Sequence, residues 1–265
     1  MTLKLSKYVS LVLVLALAIA LGCGGVKTPQ DVFKKMVKAY GGSAKIELMQ
    51  AYSGNGFIKA MESPTAVSNA FDIYIDGPFY KHRIALAPEG TLIDENILYH
   101  NMTGTWQWTK HTGLKQVPAL DLAFWRYRFP AVLKWIETPG LKGDVRPFTK
   151  VDTEYRVRMS AGDTTVTLDV DRVKWLLNGV EITLKNDSSF FYEERYERYW
   201  KVDNIPFPST WVATLNGKPY FEYTLSRIDL GAPPDSVFGI VGQDTSDIQT
   251  EAPPAAEGEG GQAPK

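Results

Sequence analysis

From Thr164 to Leu230 the chain alternates apolar and polar residues with a period of two. Val166, Leu168 and Val170 alternate with Thr165, Thr167 and Asp169, and Val180, Ile182 and Leu184 alternate with Glu181, Thr183 and Lys185. That period puts one apolar face and one wet face on each strand. The runs FFYEERYERYWKVDN, STWVATL and YFEYTLSRIDL continue the pattern, so the stretch predicts an antiparallel meander. Asn216-Gly217 between two apolar-aromatic runs predicts a tight hairpin. Asn204 to Pro208 (NIPFP) predicts another turn, because proline donates no ladder hydrogen bond and is confined to strand edges.

Upstream, Thr28-Pro29-Gln30-Asp31 reads as a helix start: a Thr cap, Pro in the first turn, and an acid near the positive end. Val32, Phe33, Met36, Val37 and Tyr40 then fall at helical spacing opposite Lys34, Lys35 and Lys38, until Gly41-Gly42 ends the helix. Ser43 to Gln50 adds a short helical turn. Phe71, Ile73 and Ile75 alternate as a strand, Gly77-Pro78 turns, and Tyr80, His82, Ile84 and Leu86 alternate as the next. Thr91–Asn101 and Gly104–Lys110 predict further strands, the latter with Trp106 and Trp108 on one face. Ala119 to Glu137 is the most apolar stretch of the interior. Leu122, Trp125, Phe129, Val132, Leu133 and Ile136 follow a helical period there, broken near Pro130, and predict two short helices. Leu141–Lys150 reads as a loop. Val151–Ser160 returns to strand, with Tyr155, Val157 and Met159 on one face.

Charge narrows the function. Lys+Arg numbers 29 and Asp+Glu 30, a net charge of −1, which supplies no basic stripe for a nucleic acid. Seven Trp and 13 Tyr load the strands and the Ala119–Glu137 helices, which suits either a wide apolar interior or a tightly packed β core. At the N-terminus Lys4 and Lys7 precede an apolar run from Val9 to Leu21, interrupted only by Ser10. This is a signal-peptide pattern, shorter than the ~20 residues that span a bilayer. The run ends at Cys23, the only cysteine. Ala20-Leu21-Gly22-Cys23 resembles the lipobox of bacterial lipoproteins, which implies acylation of Cys23. The rival is ordinary cleavage after Ala20, since Ala18-Ile19-Ala20 fits a small-x-small site and would leave the thiol free. Residues 242–265 hold little but Glu, Ala, Pro, Gly and Gln and read as a disordered tail.

Catalytic and metal signatures are missing: no HExxH, GxSxG, P-loop or cysteine-based metal pattern occurs, and no cofactor is expected. His82, His100 and His111 lie in or beside different predicted strands without ligand spacing. Glu193-Glu194 and Asp94-Glu95 point to opposite faces within a strand. One polar feature stands out. The face with Phe190, Tyr192, Tyr196, Trp200 and Val202 also bears Glu194 and Arg198, about 13 Å apart if the strand is regular. Buried charges this far apart each need a partner from elsewhere. They are candidates for a polar anchor in a greasy cavity, and the alternative is a strand that faces solvent there.

The helix TPQDVFKKMVKAYGG, the aromatic insertion Ala119–Glu137 and above all YWKVDNIPFPSTWVATLNGKPYFEYTLSRIDLGAPPDSVFGI resemble the outer-membrane lipoprotein-sorting superfamily of periplasmic carriers, outer-membrane receptors and related lipoproteins. The resemblance covers residues 28–241. It implies an α+β, mainly β fold: an open, strongly curved antiparallel half-barrel wrapped on the N-terminal helix, with short lid helices. The expected organisation is a signal peptide over 1–22, a lipidated tether over 23–27, the half-barrel over 28–241, and the tail. The implied function is to hold lipid or lipoprotein acyl chains without chemistry, at the periplasmic side of the outer membrane, with other envelope proteins as possible partners. The implied cavity is lined by Phe71, Ile73, Ile75, Ile84, Val157, Leu168, Ile182, Tyr192, Tyr196 and Trp200. Leu122, Trp125, Phe129, Val132, Leu133 and Ile136 form its lid, with Glu194 and Arg198 as anchor. The alternative is an envelope scaffold with a packed β core and no ligand.

Overall fold

A computed structural model describes Val26 and residues 28–61, 68–77, 79–86, 94–101, 104–116, 125–147, 153–187 and 189–239 of the chain. Two meanders make up the molecule. The first comprises β1 (Ala51–Ala60), β2 (Ser68–Asp76), β3 (Phe79–Leu86), β4 (Asp94–Asn101), β5 (Gly104–Thr109) and β6 (Gly113–Gln116). The second comprises β7 (Gly143–Pro147), β8 (Glu154–Ala161), β9 (Thr164–Asp171), β10 (Leu177–Leu184), β11 (Phe191–Val202), β12 (Ile205–Leu215) and β13 (Lys218–Leu230). β1 pairs with β13, which joins both meanders into one 13-stranded antiparallel sheet in the order β6-β5-β4-β3-β2-β1-β13-β12-β11-β10-β9-β8-β7. It is an open, curved sheet with few helices, an α+β half-barrel.

The sheet's inner face is covered by three short helices: α1 (Pro29–Ala39), α2 (Ser43–Leu48) and α3 (Ala131–Trp135). Thr28 caps α1 in a reciprocal box. Its hydroxyl accepts from the Asp31 amide, and the Asp31 carboxylate accepts from the Thr28 amide. Val32, Met36 and Tyr40 are wholly buried on one side of α1, and Lys34, Lys35 and Lys38 are exposed on the other. Gly41 and Gly42 both take φ near +93°, a conformation that glycine adopts without strain. At Asn216-Gly217 both residues have positive φ, and the Asn216 Oδ1 also accepts from the Phe191 amide at 2.9 Å, so the hairpin forms where expected.

Several sequence expectations are corrected. NIPFP is not a turn. The hairpin bends one step earlier, at Asp203-Asn204 (φ 51° and 63°), and Pro206 and Pro208 lie inside β12. β13 joins β12 only from Thr210 onward, so the missing proline donors fall on a stretch with one hydrogen-bonded neighbour. Leu141–Lys150 contains a strand, β7, whose Val145 pairs with Val157. The polar face of β9 is not wet: Thr165, Thr167 and Asp169 are buried beneath long side chains from β8, β10 and β11, notably Arg156, Glu181 and Arg195. The apolar run before Cys23, Cys23 itself, Leu122 and the 242–265 tail lie outside the described residues. Among the described residues no helix is long and apolar enough to cross a membrane.

Candidate functional site

A cleft of about 450 Å³, its open mouth included, separates the inner face of the sheet from the Arg128-Phe129 segment. The first meander contributes Tyr52, Ile73, Ile75 and Tyr80, and the second contributes Glu194, Tyr196, Phe207, Pro208 and Trp211. Arg128 and Phe129 enter from the other side, between a 3-10 turn (Trp125–Tyr127) and α3, which are the two short helices expected here. Most of the cleft's volume is its open mouth: the hollow itself is about 30 Å³, room for little more than a water molecule or two, so the side chains nearly fill it.

Phe129 fills much of the space. Its ring lies 4.9 Å from that of Phe207, 5.8 Å from Tyr40 and 5.9 Å from Tyr196. Tyr52 meets Phe207 edge-on at 5.1 Å, and Trp211 stacks on Tyr223 at 4.8 Å. These tilted and offset contacts are the favoured arrangements of aromatic pairs.

Arg128 closes the polar account of the cleft. Its Nε and Nη2 both approach Glu194 Oε1 at 2.6 Å. Tyr192 donates to the same oxygen at 2.7 Å, and Tyr196 donates to Oε2 at 2.6 Å. The Tyr196 hydroxyl in turn accepts from the Phe129 amide at 3.1 Å. Glu194 is 2% exposed, in a cross-strand row with Val180 and Leu168, and Arg128 keeps 23% of its side chain open to the cleft. Burial raises the Tyr192 and Tyr196 phenols well above their ordinary range, and the Glu194 charge adds to this, so both hydroxyls remain donors. Burial disfavours the Arg128 charge, but Glu194 and nearby tyrosines outweigh it and hold the guanidinium charged. The pair is neutral as a unit, and both Glu194 oxygens are hydrogen-bonded within the cleft.

The segment is also tied on its far side. Gln50 of the α2 region donates to the Pro130 carbonyl at 3.3 Å, Lys134 pairs with Glu47, and Ser43 bonds Glu137. Val132, Leu133 and Ile136 are buried beneath α3. Beside the cleft lies His82, 8% exposed, ringed by Phe71 (5.5 Å), Tyr80 (6.2 Å) and Tyr223 (6.1 Å). Its Nε2 finds no hydrogen-bond partner among the described residues. Burial, with help from Arg128, pushes its pKa down to about 3, which keeps the ring neutral.

Ile73, Ile75, Tyr196, Glu194 and Phe129 therefore meet in one cleft, with Tyr192 at its polar edge. Phe71 and Ile84 share the inner face further along β2 and β3. Val157, Leu168 and Ile182 are instead packed solid in the core, each at zero exposure. Arg198 and Trp200 do not reach the cleft: Arg198 is exposed and Trp200 is 42% exposed. The pairing of β11 with β12 is irregular between Tyr196 and Tyr199, which breaks the strict alternation there. Tyr199 points inward instead, and its hydroxyl donates to the Leu177 carbonyl and meets the Tyr40 hydroxyl at 3.3 Å. Glu194's partner is thus Arg128, not Arg198. Trp125 opens the 3-10 turn. Among the described residues no cluster of His, Cys, Asp and Glu could hold a metal ion.

No family model matches the sequence, and no characterised protein does. Solved structures match by shape. A LolA superfamily protein from Nitrosomonas europaea superposes with a TM-score of 0.53 at 12% identity, over 81% of this chain and 98% of that one. The chain has a LolA-like fold. An outer membrane lipoprotein-sorting protein domain from Vibrio parahaemolyticus matches equally, with a TM-score of 0.53 at 10% identity, over 79% of this chain and 95% of that one. So does a DUF1329 family protein from Desulfovibrio piger, at 0.53 and 10%, over 81% and 98%. In this LolA-like frame the cleft lies where the two meanders meet, under the helical segment Trp125–Trp135 inserted between them.

Proposed function

We propose that this protein is a cell-envelope lipoprotein that holds an acyl chain of a lipid or lipoprotein in the cleft under Arg128-Phe129, without chemistry. The observation that carries the reading is Phe129 itself. It is an apolar side chain held among aromatic walls by a segment fixed through hydrogen bonds and ion pairs, so an apolar guest can take its place when the segment swings out. Each methylene taken from water gains about 0.8 kcal/mol in such a site, enough to retain a chain and still release it. Acylated Cys23, five residues before the Thr28 cap, would tether the domain to the periplasmic face of the outer membrane.

The test is an organic extract of protein purified from membranes, followed by titration with an apolar fluorophore and a fatty acid. Co-purified lipid, or fluorophore displaced by the fatty acid and weakened by Phe129→Trp, is the expected result. Protein that carries no lipid and binds no fluorophore would sink the reading. It would leave the second one, an envelope scaffold, which the solid packing of Val157, Leu168 and Ile182 favours.

A further inference from the structure

At one rim of the sheet, α1 and the β9–β10 turn build a surface that the cleft does not use. Trp175 follows that turn with φ +61° and stacks on Tyr155 at 5.5 Å. Lys35 of α1 sits over the Trp175 ring at 4.2 Å, and Arg172 over the Tyr155 ring at 4.9 Å. Two cations thus bracket two stacked rings, which fixes the turn against α1. Asp171 is engaged beneath, its Oδ1 accepting from the amides of Val173 and Lys174 at 2.8 and 2.5 Å. The result is a presented tip. Val173 is 81% exposed, flanked by Arg172 and Lys174, and Lys34 and Lys38 are exposed on the neighbouring face of α1.

We propose that this rim rests on an anionic bilayer surface, with Lys34, Lys35, Lys38, Arg172 and Lys174 among the headgroups and Val173 at the interface. Three observations favour a bilayer over an acidic protein. The cations are spread over a helix face and a turn rather than gathered in a pocket. The apolar element is one short side chain at a tip, which suits shallow insertion. Cys23 also stands five residues before the Thr28 cap of the helix that carries Lys34, Lys35 and Lys38, a span of at most about 18 Å. Only this last point rests on the tethered reading. Basic residues near an anionic leaflet act additively, so the rim would orient the domain on the membrane that holds it.

The experiment labels the full-length Val173→Cys chain with an environment-sensitive fluorophore and adds vesicles of phosphatidylcholine alone or with about 30% phosphatidylglycerol. The parent chain, labelled in the same way, reports any signal from Cys23. The expected result is a blue shift and quenching by headgroup-depth spin labels on the anionic vesicles only. Salt near 1 M, where charges are screened beyond ~3 Å, should abolish both. Lys34→Glu/Lys38→Glu/Lys174→Glu should weaken the response at least about tenfold. These three side chains are solvent-facing, and an unchanged melting curve verifies the fold. No shift on anionic vesicles, an equal shift on neutral ones, or a shift produced only by an added acidic protein would overturn the proposal. The lipid extract of the previous section is independent of all three outcomes.

Discussion

Arg195 crosses a whole strand to reach Asp169. Its Nη2 lies 2.7 Å from the Asp169 Oδ2, and the residue between them in register, paired with both, is Gly179 of β10. Asp169 has no exposed side-chain surface, and Arg156 engages it from the opposite strand at 3.0 Å. The carboxylate is therefore bracketed by two guanidinium groups, and a missing side chain on the middle strand makes room for one of them.

A methyl group at Gly179 would test that arrangement. Its Cβ would lie 2.9 Å from the Glu194 carbonyl oxygen, 3.0 Å from the Arg195 Cδ and 3.1 Å from Nη1. Gly179→Ala is expected to cost about 1–3 kcal/mol in urea unfolding. With Arg195→Met the two costs should combine to less than their sum by at least about 0.5 kcal/mol, because both remove the same contact. Strict additivity would show that Arg195 is not what the methyl displaces.

The Arg128–Glu194 pair makes a sharper prediction. Glu194→Leu leaves a largely buried guanidinium without its counter-charge and is expected to cost about 3–5 kcal/mol, or to release the segment. Hydrogen exchange over Ala131–Ile136 distinguishes release from global loss. The double variant Arg128→Met/Glu194→Leu removes both charges and should recover most of the stability. A double variant as unstable as Glu194→Leu alone would contradict this account.

His82 sets an acid limit. Its pKa in the folded chain, about 3, lies below the ordinary 6.5. Between those values the unfolded state binds the extra proton, so stability rises with pH across that window and is fully present above about 6.5. Acidification from 6.5 towards 3 should therefore remove up to about 1.4 kcal/mol per pH unit from this group. Urea midpoints of the parent and His82→Phe at pH 7.5 and 4.5 check the sign: the variant should lose less on acidification. Equal losses would place the acid sensitivity elsewhere.

Much of the fold was legible because the period of two survives wherever the ladder is regular. Asn216-Gly217, the α1 start at Thr28 and the break at Pro130 carried their own local chemistry. What escaped depended on neighbours. The β11–β12 irregularity that turns Tyr199 inward, and leaves Arg198 out, leaves no mark on the spacing of residues in β11 alone. Pro206 and Pro208 looked like a turn because nothing in the sequence says that β13 stops short of them. The wet look of Thr165, Thr167 and Asp169 ignored the length of the Arg156 and Arg195 side chains that roof them.

The cleft was half visible. Ile73, Ile75, Tyr196 and Phe129 followed from alternation and helical spacing, and Glu194 stood out as a carboxylate in an apolar row. Arg128 was missed because only the apolar positions of the Ala119–Glu137 stretch were weighed. A buried acid demands a cation, and the arginines of the one apolar insertion able to cover that row were the place to look. Phe207 and Trp211 arrive on β12 beside Tyr196, and Tyr52 is brought in by the β1–β13 pairing, a contact between opposite ends of the described chain.

That pairing has a consequence for assembly. Tyr52 meets Leu230 only after nearly the whole domain has been made, whereas every other strand pairing among the described residues is between neighbours in sequence. Each half can zip up locally, but the seam between them closes last, at the largest loop-closure cost in the molecule. The hollow straddles this seam, with walls drawn from both halves. A newly made chain therefore has no pocket to fill until its final strand has docked.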